Sequence, residues 1–143
     1  MDEKLDLTVK HPFLIKFWIF VTLTGFHVGY VMAYTNQTAT AIDIIFGWSK
    51  EESTLNQSLI GSIGVAGMML GSSIGGKLIT YGRMKVLKYA ALLGIIGCSM
   101  TVYQLSNNLI LFFRLLIFGR FLYGVATGLI AIAVPRYIEE ILP

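Results

Sequence analysis

The chain has 143 residues, 55% of them hydrophobic and 13% charged, with a mean hydropathy of +0.72. A soluble domain is about a quarter charged, so that class fits poorly, and four membrane spans of about 20 apolar residues each would leave little room for a soluble catalytic domain. The one cysteine, Cys98, cannot build a disulfide framework or a thiolate metal cage, and the net charge of +3 needs explaining by position before nucleic acid is invoked.

Residues 1–12 form a polar segment with Asp2, Glu3, Lys4, Asp6 and Lys10. It has no arginine and no apolar core, the reverse of a cleavable leader, so none is expected. The first apolar run, 13–34, carries one full charge, Lys16, close enough to its end to snorkel to the interface. It is predicted to be the first span. Residues 36–53 are polar by comparison, and Ser49 and Glu52 have the spacing of a capping box behind Trp48, which predicts a helix starting near Lys50.

The second predicted span is 55–79, with Lys77 near its end. Within it Gly61, Gly64, Gly67, Gly71 and Gly75 recur at intervals of three or four, a pattern that lets a neighbouring backbone approach closely and reads as a packing seam. Gly71 to Lys77 also spells the first seven positions of a phosphate-binding loop. Leu78 then stands where Ser or Thr would hold magnesium, and no strand precedes it, so nucleotide is not expected.

Residues 86–105 form the third predicted span, Ser106 to Asn108 a turn, and 109–134 the fourth span, ending at Pro135. These runs are apolar all round, whereas a soluble bundle would show a charged face at the helical period. An all-helical membrane protein of four spans, residues 13–143 as a single domain, is the expected fold.

Lys4, Lys10, Lys16, Lys77, Arg83, Lys85, Lys88 and Arg136 fall on one side, against Lys50 and Arg114 with Asp43, Glu51 and Glu52 on the other. Positive charge gathers on the inner side, so both termini are expected inside, and the basic character is an orientation signal with no call for nucleic acid. Asn36 and Asn56 fit the N-glycosylation triplet near the outer side, a pattern common by chance.

Arg120 lies about three helical turns inside the fourth run, where insertion costs roughly 2.5 to 3.5 kcal/mol unless a partner or water is found. The other deep titratable group is His27. The two spans run oppositely, which places both residues in the outer half, so they are expected to form an intramembrane polar pair, with histidine beside a cation favouring its neutral form.

No nucleophile with a base and no metal-spaced cluster occurs, since the histidines are His11 and His27, and adjacent Glu139 and Glu140 point about 100° apart on a helix. No enzymatic activity, metal or cofactor is expected.

Residues 135–143, P-R-Y-I-E-E-I-L-P, resemble the P-x-Y-x-x-E-I-x-P signature that follows the fourth helix of sugar porters, a branch of the major facilitator superfamily. Pro135, Tyr137 and Pro143 occupy its fixed positions. Gly119-Arg120-Phe121-Leu122-Tyr123-Gly124 with Gly128 is similar to that family's fourth-helix motif, Gly25-Phe26-His27-Val28-Gly29 to its first-helix motif, and Gly82-Arg83-Met84-Lys85 to its loop between helices two and three. The resemblance implies the first part of a major facilitator N-terminal half, with Arg83 and Lys85 pairing with Glu140 across the inner surface.

The departures bear on function. Ile79 stands where the family's loop aspartate belongs, and Thr80 where a basic residue belongs. His27 replaces the acid that pairs with the fourth-helix arginine in proton-coupled porters, so resemblance to a proton symporter stops there. Transporters of this class have twelve spans in two halves that move about a central site, and four spans alone cannot perform alternating access.

Two functions are therefore expected. In the first, the chain is a truncated, sugar-transporter-like accessory subunit of a larger membrane complex, such as the respiratory chain of the mitochondrial inner membrane, with other integral membrane subunits and lipids as partners. In the alternative it is the N-terminal part of a sugar or solute facilitator, in the plasma membrane, with a small sugar as ligand.

Overall fold

The computed structural model describes residues 11–102 and 108–141, apart from the side chains of residues 11–14, 31, 32, 34–36, 102, 140 and 141. They form four α-helices: α1 (His11–Phe46), α2 (Lys50–Leu78), α3 (Arg83–Val102) and α4 (Leu109–Ile141). A single 3-10 turn, Ile79–Tyr81, links α2 to α3, and no strand occurs among the described residues. Three stretches, Lys50–Tyr81, Arg83–Thr101 and Leu109–Glu139, are long and apolar enough to cross a membrane. The predicted first span lies within α1.

Two helices outrun their predicted ends. Residues 36–46, read from sequence as a polar loop, continue α1, because helical spacing there buries Ile42 against Ile60 and Leu116. The helix stops at Gly47, whose φ of 63° is the left-handed conformation that spares glycine a Cβ clash, and whose N–H bonds the Asp43 carbonyl at 2.9 Å. At the other end of the chain α4 runs through Pro135 to Ile141. Proline removes one N–H and so releases the Ala131 carbonyl from its usual in-helix donor, a loss that membrane helices tolerate when neighbours supply other contacts.

The start of α2 matches its sequence signal. Glu52 N–H donates to Ser49 Oγ at 3.4 Å while the Ser49 N–H donates to Glu52 Oε2 at 3.1 Å, closing the capping box. Asn108 opens α4 by accepting from the Phe112 N–H at 3.0 Å; residues 106 and 107 of the predicted turn lie outside the described residues.

Helix α4 is the hub, packed along α2 on one side and α3 on the other, with α1 touching it more sparsely. Glycine makes this possible. A Cβ on Gly67 would strike the Phe121 carbonyl, one on Gly71 the Val125 carbonyl, and ones on Gly124 and Gly128 the carbonyls of Gly64 and Met68. Backbone thus lies on backbone, and dispersion contacts replace the hydrophobic drive that lipid does not provide. Gly97 and Gly119 make the corresponding contact between α3 and α4, where a Cβ on Gly119 would sit 2.8 Å from the Gly97 carbonyl oxygen.

Near the α3 start, Val86, Ala90, Leu129 and Ala133 form a buried cluster. At the opposite end, Ile42, Ile60 and Leu116 are covered by Phe46, Trp48 and Phe113. Hydroxyl groups along the helices are satisfied locally: Thr24 Oγ1 donates to the Phe20 carbonyl at 3.0 Å, Ser62 Oγ to Ser58 at 2.6 Å and Thr127 Oγ1 to Tyr123 at 2.9 Å. Such back-bonding lets serine and threonine sit where no water is available. The phosphate-loop look-alike at 71–77 is an uninterrupted stretch of α2, its Gly71 and Gly75 buried against Val125 and Leu129.

Candidate functional site

Arg120 is 5% exposed, on the part of α4 held between α2 and α3, and Thr127, about two helical turns further along α4, is fully buried. One helical turn beyond Arg120, Tyr123 presents its ring to α1. His27 meets that ring edge-on, with centroids 5.4 Å apart and planes at 77°. The Tyr123 phenol lies within electrostatic range of Arg120, Tyr30 and Cys98. Tyr123 therefore touches one of the two residues that sequence singles out as a pair and lies near the other.

His27 also borders a cavity of about 360 Å³ walled by Ala90, Gly94, Cys98, Tyr123 and Ile130, between α1, α3 and α4. Its Nε2 is buried and makes no hydrogen bond among the described residues. An imidazole there offers a ring nitrogen to an otherwise apolar space. It cannot act as the carboxylate that a proton-coupled porter discharges against its arginine. Tyr123 itself was not singled out from sequence, since aromatic residues are ordinary in apolar spans; its place one turn after a buried arginine is the signal available.

A second polar group ties α1 to α2 at the Trp48 end. Asp43 Oδ2 accepts from Ser53 Oγ and from Gln57 Nε2, each at 2.7 Å, and Gln57 Nε2 also donates to Ser53 Oγ at 3.0 Å. Phe46, three residues after Asp43, is stacked on Trp48 at 4.7 Å and on Phe112 at 5.5 Å. Asn56 lies near this group on α2, while the side chain of Asn36 is outside the described residues.

At the opposite end, Arg83 Nη1 donates to the Arg136 carbonyl at 3.1 Å and so ties the start of α3 to the end of α4. Lys85 and Glu139 line the same cleft as Arg83, as do Pro135 and Tyr137. The Tyr137 ring meets Phe20 of α1 edge-on at 6.0 Å. The Glu140 side chain and Pro143 lie outside the described residues. Of the predicted seam, Gly67, Gly71 and Gly75 face α4, and the Gly64 carbonyl lies where a Cβ on Gly124 would be, while a Cβ at Gly61 or at Gly64 would meet open space. Among the described residues no group of three or more His, Cys, Asp or Glu side chains could hold a metal.

Comparison with known proteins gives a consistent result. A family profile described as "Sugar (and other) transporter" matches residues 17–143. The chain is 27% identical over 131 residues to hexose transporter 1 of Toxoplasma gondii, covering 85% of this chain and 22% of that protein. It is 32% identical over 145 residues to the sugar transporter ERD6-like 12 of Arabidopsis thaliana, covering 100% of this chain and 29% of that protein. It is 29% identical over 121 residues to the facilitated trehalose transporter Tret1 of Bombyx mori, covering 84% and 22%. The chain thus spans less than a third of the length of these curated relatives. No solved structure matches it significantly.

Proposed function

We propose a function from one premise: the chain belongs to the sugar (and other) transporter family whose profile covers residues 17–143. It is an integral membrane protein of that family, and we read it as the N-terminal part of a sugar facilitator. The observation carrying this reading is the burial of Arg120, at 5% exposure in an apolar helix, beside the His27–Tyr123 contact. An arginine kept at such a depth is expensive and is a functional residue by default. Packing alone would have been served by alanine or leucine.

In this reading Arg120, Tyr123 and His27 form the part of a solute path that α1 and α4 supply, and the rest of the path comes from helices outside this sequence. Transport is passive, because position 27 has no carboxylate to cycle a proton against Arg120. The membrane is the plasma membrane, with both termini inside. The relatives above are named as transporters of hexose, trehalose and other sugars. They lend no support to an accessory subunit of a respiratory complex or to a mitochondrial location.

The test is a chimera in which this chain replaces the matching segment of the Toxoplasma gondii hexose transporter, reconstituted in vesicles. Saturable uptake of labelled hexose that Arg120→Ala lowers at least tenfold supports the reading, about 1.4 kcal/mol of lost stabilisation. Correctly inserted chimera with no uptake above empty vesicles overturns it.

A further inference from the structure

We draw no further inference here: the strongest candidate, the apolar groove between α1 and α3 in which a cleft walled by Phe17, Phe20 and Leu87 meets the His27 cavity at Ala91, is lined almost wholly by hydrocarbon, and nothing in the structure shows what covers it.

Discussion

Arg120 separates stability from function at a single residue. Replacing it with alanine removes a charge whose membrane insertion costs about 2.5 to 3.5 kcal/mol, so α4 should insert more readily by about that amount in an insertion assay. The chimera carrying the same change should nevertheless lose uptake. Gain in one measurement and loss in the other is the pattern of a residue retained for its chemistry. Asp43 predicts the opposite sign. Asp43→Ala strands the Ser53 hydroxyl and the Gln57 amide, which now donate to one carboxylate oxygen, and should destabilise the chain by about 1 to 3 kcal/mol. Denaturant titration followed by fluorescence of Trp48, stacked on Phe46 beside that group, measures the loss. His27 and Arg120 were legible in the sequence because a titratable group inside an apolar run has no cheap explanation. Tyr123 and the Asp43 group were not, since they depend on which residues of different helices come face to face, and periodicity within one helix does not carry that information.

Among the elements, α2 shows how far a glycine pattern can be read. Its interval of three or four announces a seam, but five glycines on that interval drift around the helix, and only those turned to α4 matter. Gly71→Ala drives a methyl group into the Val125 backbone and should cost about 1 to 3 kcal/mol of stability. Gly76→Ala, where nothing lies within 4 Å, should be neutral or stabilise by about 0.5 to 1 kcal/mol through helix propensity. Thermal unfolding of the two variants in the same detergent decides between them. Helix ends were less legible than helix existence. The polar letters of residues 36–40 hid the apolar spacing that carries α1 to Phe46, and Pro135 was read as a stop when a membrane helix accommodates it. The capping box at Ser49 was legible because its two hydrogen bonds are local.

In the molecule as a whole, the family resemblance rested on motifs spread from α1 to α4, and the profile match over residues 17–143 covers them all. The activity was not legible to the same degree, because a solute path is made by helices of several repeats. Reconstituted with no companion, the 143-residue polypeptide should show no saturable hexose flux, measured in the vesicles that serve for the chimera. Packing is also uneven across the bundle, so deuterium exchange in detergent should be slowest in α4, flanked by α2 and α3, and fastest in α1 between residues 15 and 30. The carbonyl-on-glycine seams have a mechanical meaning. No compressible side chain separates α4 from its neighbours there, so a displacement of α2 passes undamped into α3 and the three behave as a stiff plate. Helix α1, which packs its Phe46 end on α4 and meets it again through Phe20 and His27, leans on that plate and is not interlocked with it.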